Sequence, residues 1–356
     1  MRLGTYVALE LCALGAATWG VAVGLRRAGS FLLTEARGAI SRRSVVVARD
    51  SGPLGLFNPP APEITDQAER TFLGMSDQVL LDRLRHQPVV RIKFNHGGTS
   101  ISLRLDFADG SRAAFKPAQT NPQSVPRKEV AAYRLDRLLG LGHVSPSAPR
   151  RLARSEIIEK LADDSRSMLP RILAETIFDA DGRTVGEAQY WIPQIRDTLL
   201  EAPAGVAEWS QWLAAQGPPP PPAKRALAEG LSAMIVFDLL QNNSDRFSGG
   251  NIVAAPDFHF LYFLDNTFGF QVEPGGHVRC RDALRKVQRF SRRLFEALQV
   301  LDGAAIRAEL AREPDPPYEI LKSDEIEAVV ARRNLALEYI DALIAQFGRD
   351  KVLVFP

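Results

Sequence analysis

Between residues 88 and 141 the hydrophobic period changes once, and that change restricts what the chain can fold into. Apolar and polar residues alternate through Val89–Phe94, Ile101–Phe107 and Ala113–Pro117, the spacing of strands with one buried face. Asn95-His-Gly-Gly-Thr-Ser100 and Asp109-Gly110 separate them, so the three read as a small antiparallel unit joined by tight turns. From Lys128 to Leu141 the apolar residues Val130, Tyr133, Leu135, Leu138 and Leu139 fall on one helical stripe, with Gly140 or Gly142 as the stop. Further strands are expected at Ile172–Phe178 and Gly186–Ile192, with a turn at Asp181-Gly182. A short capped helix, Ser76–Leu84, precedes the sheet. Past a stiff loop at Pro218–Pro222 the pattern is helical over Ala226–Leu240, Asp282–Leu301 and Ser323–Phe347. The expected fold class is α+β with two lobes, a small β-rich lobe carrying one helix and a larger, mainly helical lobe.

The chemistry concentrates in Asn242-Asn-Ser-Asp-Arg246, Phe247-Ser-Gly-Gly-Asn251 and Phe263-Leu-Asp-Asn-Thr-Phe-Gly269. Asp245 follows a helix and Asp265 follows the apolar strand Phe258–Leu264, so a loop and hairpin can bring both carboxylates to one cleft. Phosphoryl transfer needs that pair: one carboxylate to orient and deprotonate an acceptor hydroxyl, another to hold the metal bridging the nucleotide phosphates. Asn251 offers a neutral oxygen for a second metal. Upstream, Lys116 lies on a strand in an apolar setting and can reach phosphate oxygens. Glu129, opening the next helix, can orient that lysine or touch metal. Gly97 and Gly98 let backbone N–H groups approach phosphates closely. Each signal alone has a commoner explanation: a surface ion pair for Asp245-Arg246, a hairpin turn for the two glycines, a helix-dipole contact for Glu129. Their order along the chain is what points to a nucleotide site.

Ala114-Phe-Lys-Pro117, Glu129-Val-Ala-Ala-Tyr-Arg-Leu-Asp-Arg137, Asn243-Ser-Asp-Arg246 and Leu264-Asp-Asn-Thr-Phe-Gly269 together resemble the atypical secretory-pathway kinases, the family of Golgi casein kinase, glycosaminoglycan xylosylkinase and Four-jointed. The resemblance runs over about residues 88–347. It implies a two-lobed atypical protein-kinase-like fold that uses ATP with Mn2+ or Mg2+ to phosphorylate a protein or glycan hydroxyl. It implies Asp245 as catalytic base and Asp265 as metal ligand, with Asn251 and Glu129 as further metal candidates. Lys116 and Glu129 become the ion pair on the nucleotide side, Ser100 a polar residue near the nucleotide, and Gln189-Tyr-Trp-Ile192 the hinge beside the adenine. The chain departs from the family in having almost no cysteine, which suits a divergent, bacterial-type member in a reducing compartment. It also has no acidic residue shortly after the base, and Asn251 lies six residues past Asp245. Two other readings share much of this pattern. A HipA-like or phosphoinositide-kinase-like phosphotransferase would keep both aspartates in the same roles, and a pseudokinase would keep the fold as a binding module without turnover.

Composition narrows the partners. Hydrophobic residues are 46% and charged residues 24%, enough for a buried core, while a net charge of +2 gives no basic field for nucleic acid. Cys12 and Cys280 are the two cysteines, too few for a stapled scaffold or a structural zinc site. Tyr6–Leu25 is an apolar stretch of bilayer-spanning length, followed by Arg26, Arg27, Arg37, Arg42 and Arg43. The basic flank predicts a single-pass membrane tether with the catalytic domain in the cytoplasm; a signal segment and a lumenal or secreted protein is the alternative. The expected organisation is an N-terminal anchor or signal helix (1–27), a linker with a short helix (28–87), the small lobe and hinge (88–192) and the helical lobe (193–356).

Overall fold

A computed structural model describes residues 70–356 apart from Gly97 and Gly249. Helix α1 (Asp77–His86) leads into strands β1 (Val89–Phe94), β2 (Leu103–Phe107) and β3 (Arg112–Pro117). Helix α2 (Arg127–Leu138) separates β3 from β4 (Ser147–Ala153), after which α3 (Arg154–Lys160) and α4 (Leu169–Glu175) precede β5 (Arg183–Tyr190). The five strands form one antiparallel sheet in the order β1-β2-β3-β5-β4. The helical lobe contains α5 (Pro203–Trp212), α6 (Arg225–Gln241), α7 (Val278–Leu284), α8 (Arg292–Val300), α9 (Gly303–Leu310) and α10 (Ser323–Phe347). This is the α+β, β-lobe and helix-lobe arrangement that the change of period predicts.

The alternation in β3 sets the site. Ala113, Phe115 and Pro117 are buried beneath the sheet, and Ala114 and Lys116 sit on the other face. In β5, Lys116 pairs with Glu187 and Ala114 with Gln189, so period-2 geometry brings all four side chains to one surface. Gly186 packs so tightly that a Cβ there would come within 2.4 Å of the Lys116 carbonyl. Helix α2 is buried along nearly its whole length, and α6 is likewise enclosed from Leu227 to Gln241. Helix α6 stops at Asn242, whose left-handed backbone (φ 58°) turns the chain into the Asp245 loop.

Three expectations are corrected. Ile172–Phe178 is not a strand: Leu169–Glu175 is helical, started by Pro170 in the first turn and supported by an Arg171–Glu175 pair at 2.8 Å. Only Thr176 bridges to Gln119. The long helix over 282–301 is two helices. The Phe290 N–H donates to the Val352 carbonyl at 2.7 Å and its own carbonyl accepts from Phe355, which unwinds the chain before Ser291 caps α8. Finally, the single-pass localisation with a cytoplasmic catalytic domain does not hold: among the described residues no helix is long and apolar enough to cross a membrane. The apolar segment that prompted it, with residues 1–27 and most of the linker, lies outside the described residues.

Candidate active site

The Lys116 ammonium reaches across from β3 to two carboxylates, Asp265 Oδ1 at 2.7 Å and Glu129 Oε1 at 3.2 Å. Burial works against its charge, but Asp265, Glu129 and Glu187 outweigh that penalty and hold its pKa above the ordinary lysine range. Glu129, fully buried at the start of α2, does more than meet the lysine. Its Oε1 accepts the Asn266 backbone N–H at 2.7 Å and its Oε2 accepts from the Asn266 side chain at 3.0 Å. The helix of the small lobe is thereby fixed to the turn that carries Asp265.

That turn is shaped from several sides. Asp265 has a left-handed backbone (φ 57°), its carbonyl accepts from the Asn243 amide at 3.1 Å, and its Oδ1 also accepts from the Thr267 hydroxyl at 3.1 Å. Lys116 above all holds the Asp265 carboxyl below its usual range, against the effect of burial. Its side chain remains about half exposed, open to a polar cleft lined by Ser100, Asn121, Ser124, Asp245, Asp265 and Thr267. Asp245 and Asp265 thus share one cleft. The Asp245 N–H donates to Asn243 Oδ1 at 3.2 Å, and the Asn251 amide donates to the Asp245 carbonyl at 3.0 Å and toward its carboxylate at 3.4 Å.

Arg246, next to Asp245, is 1% exposed and works as the internal strut. It pairs with Asp238 at 3.0 Å, donates to Asn266 Oδ1 at 2.8 Å, and donates to the carbonyls of Asn251 and Leu264. One guanidinium therefore ties the end of α6, the hairpin and the Asp265 turn together.

The sequence-derived candidates fall in three groups. Lys116, Glu129, Asp245, Asn251, Asp265 and Ser100 come together. Gln189 and Tyr190 end β5, the strand next to Lys116, and Trp191 and Ile192 follow it. The Gln189 amide donates to Ser147 at 3.2 Å, the Tyr190 N–H to Pro146 and the Trp191 N–H to Arg112. Gly98 sits in the turn after β1 beside Thr99 and Ser100, and Gly97 lies outside the described residues. Sequence reasoning missed Thr267, the bridging role of Asn266, and Glu187. Glu187 is 1% exposed and its Oε2 has no hydrogen-bond partner among the described residues. Burial first, then the charges of Glu129 and Asp265, push its carboxyl well above the usual range despite Lys116. The available signal was the strand's lone acid, two residues before Gln189 and flanked by Gly186 and Ala188.

The donor set suits a particular kind of metal. No group of three His, Cys, Asp or Glu side chains that could hold a metal ion is found among the described residues. A carboxylate open to a polar cleft instead suits Mg2+ or Mn2+, hard ions that take one or two carboxylates and complete their shell with phosphate oxygens and water.

No protein-family model matches the chain. The human extracellular serine/threonine protein kinase FAM20C is 22% identical over 78% of this chain and 56% of its own length. The chain therefore spans little more than half of that curated relative, whose name puts it outside the cell, opposite to the cytoplasmic domain expected from the N-terminal arginines. Among solved structures, the Golgi casein kinase with Mn and ADP bound superposes with a TM-score of 0.63 at 18% identity, covering 78% of each chain. The hydra Fam20 with sugar superposes at 0.62 and 16% identity, covering 80% of this chain and 95% of that one. The resemblance read from the motifs thus extends to the fold.

Proposed function

We propose that this chain, a divergent relative of the atypical secretory-pathway kinases, is an ATP-dependent phosphotransferase that moves the γ-phosphoryl group to a hydroxyl of a protein or glycan. The observation that carries this reading is the Lys116 ammonium bridging Glu129 and Asp265, in a cleft that Asp265 shares with Asp245. Asp245, exposed and held through its backbone by Asn243 and Asn251, is the base that orients the acceptor hydroxyl and takes its proton. Asp265, with Asn251 and Glu129 as the other oxygen donors, is the metal ligand. A bound Mn2+ or Mg2+ would neutralise charge on the transferred phosphoryl group. Lys116 grips the nucleotide phosphates, and Glu129 keeps the lysine in place. Gly97, Gly98 and Ser100 cover the phosphates, and Gln189, Tyr190, Trp191 and Ile192 form the wall beside the adenine. The Golgi casein kinase with Mn and ADP supports this nucleotide and cation assignment by likeness of fold.

Labelled ATP with Mn2+, offered to peptides, glycans and the protein itself, tests the reading. Asp245→Ala should lose at least a hundredfold in turnover and keep nucleotide binding, because a positioned general base contributes about 10²–10⁴-fold. Asp265→Ala should lose both turnover and the Mn2+-dependent part of nucleotide binding. Equal labelling by wild type and Asp265→Ala would overturn the metal role. A second reading, a nucleotide-binding module without turnover, is favoured by the second metal position, where the amide of Asn251 rather than an acid stands beside Asp245; Mn2+·ADP binding with no labelling of any acceptor would decide for it.

A further inference from the structure

Glu187 is a buried acid to which the phosphoryl transfer proposed above gives no part. In the sheet register it stands on β5 between Lys116 of β3 and Pro149 of β4, so the lysine is its one cross-strand neighbour with a side chain able to donate. Glu187 is 1% exposed, and its Oε2 has no hydrogen-bond partner among the described residues. Tyr318, whose hydroxyl reaches the same strand, donates to the Gly186 carbonyl at 3.4 Å instead. A buried acceptor left unpaired costs stability, a cost that an apolar side chain at this position would not carry.

Lys116 has the complementary shortfall. An ammonium carries three N–H donors, and two of them are used, toward Asp265 Oδ1 at 2.7 Å and Glu129 Oε1 at 3.2 Å. The third has no acceptor among the described residues. Both acceptor oxygens are shared: Asp265 Oδ1 also takes the Thr267 hydroxyl at 3.1 Å, and Glu129 Oε1 takes the Asn266 N–H at 2.7 Å. The kinase reading makes these same two carboxylates the metal donors, so an oxygen turned to a cation is withdrawn from the lysine. The ammonium would then lose its counter-charge in a buried site just when it has to hold the nucleotide phosphates.

We infer that Glu187 is the acceptor that holds Lys116 when Asp265 and Glu129 turn to a divalent cation. The inference rests on the kinase reading and adds to it a positioning residue. Residues opposite each other on neighbouring strands have Cβ atoms about 5 Å apart. The four-carbon stem of Lys116 therefore reaches Glu187 by rotation of its own torsions, with no movement of the sheet. One donor on Glu187 fixes the ammonium to β5 and leaves the other two for the cleft.

The test uses the full chain and reads binding. Wild type, Glu187→Met, Lys116→Met and the double variant are titrated by calorimetry with Mn2+·ADP, and with ADP in EDTA. Methionine keeps the volume of Glu187 and removes an unpartnered buried oxygen, so the ligand-free Tm at neutral pH should be no lower than that of wild type. Glu187→Met should weaken Mn2+·ADP binding by about tenfold or more, the worth of one hydrogen bond to a charged group. Binding of ADP in EDTA should stay within about twofold of wild type. In the Lys116→Met background the same substitution should leave Mn2+·ADP binding where it was, because the effect runs through the lysine. Equal Mn2+·ADP affinity in Glu187→Met and wild type would overturn the inference. So would an equal loss in the Lys116→Met background or with ADP alone, which would mark a merely structural residue. In each of these cases binding by wild type leaves the kinase reading standing. No Mn2+·ADP binding by wild type would remove that reading, and the positioning role with it.

Discussion

At Lys116 one ammonium faces three carboxylates, of which Glu187 sits opposite it in the sheet register with an oxygen that has no hydrogen-bond partner among the described residues. Replacing the lysine with methionine leaves the acids without their counter-charge. Breaking a buried pair costs about 3–5 kcal/mol, and the half-exposed Asp265 argues for the low end, about 3 kcal/mol. Urea unfolding of Lys116→Met without nucleotide should register this loss, and a stability equal to wild type would mean that the lysine is not what holds the cluster. Glu187 makes a separate prediction. Burial and its acidic neighbours hold its folded pKa well above the ordinary glutamate value of 4.5, so its favourable contribution is complete below pH 4.5 and is lost as pH rises toward the folded value. The wild-type Tm should therefore fall, relative to that of Glu187→Gln, as pH climbs from 4.5. Parallel Tm curves for the two proteins across that range would exclude a buried, protonated Glu187.

The Asp245 loop is an element held from inside. Ahead of the Val253–Ala254 and Leu261–Tyr262 hairpin the loop has few backbone hydrogen bonds of its own, and the Arg246 guanidinium supplies its cross-links. Arg246→Met keeps the volume but strands Asp238 in the core, where its carboxyl is already pushed up by burial against the pull of Arg246. A cost of about 3–5 kcal/mol is expected, with faster proteolysis between residues 243 and 251. Denaturant midpoint and limited proteolysis check both, and a variant as stable as wild type would show that the loop is supported elsewhere. Arg289 illustrates how an element decides a residue's role. The basic run Arg285–Arg293 reads as a solvated helix face, yet Arg289 is buried and donates to the carbonyls of Trp212, Gly217 and Pro218.

Across the molecule, α2 belongs mechanically to the helical lobe. Arg127 forms a two-pronged pair with Glu325 of α10 at 2.7 and 2.8 Å, and Arg134 is paired with Glu313 at 2.5 Å. With Glu129 bonded to Asn266 as well, the helix is tied to that lobe in its first turn and again at Arg134. Nucleotide binding should then leave amide exchange in 127–138 slow and unchanged, while exchange around 99–100 and 245–251 slows when Mn2+·ADP is added. Hydrogen exchange by mass spectrometry reads this, and a marked gain of protection in α2 would reveal a helix that swings into place instead.

The local periods determined much of this protein by themselves. Alternation in Ala113–Pro117 put Lys116 on an open face, the helical stripe after Lys128 brought Glu129 to it, and the Asn-Ser-Asp-Arg and Leu-Asp-Asn segments marked the two aspartates. Such signals are legible because strand and helix geometry is set by neighbours within a few residues. Tertiary structure alone decided that Glu187 pairs with Lys116, that Asn266 locks Glu129, that the chain breaks at Phe290 against the C-terminal residues, and that Leu169–Glu175 is a helix. Each of these depends on partners distant in sequence or on competition between similar local propensities, and the burial that settles the competition exists only once the whole chain has packed.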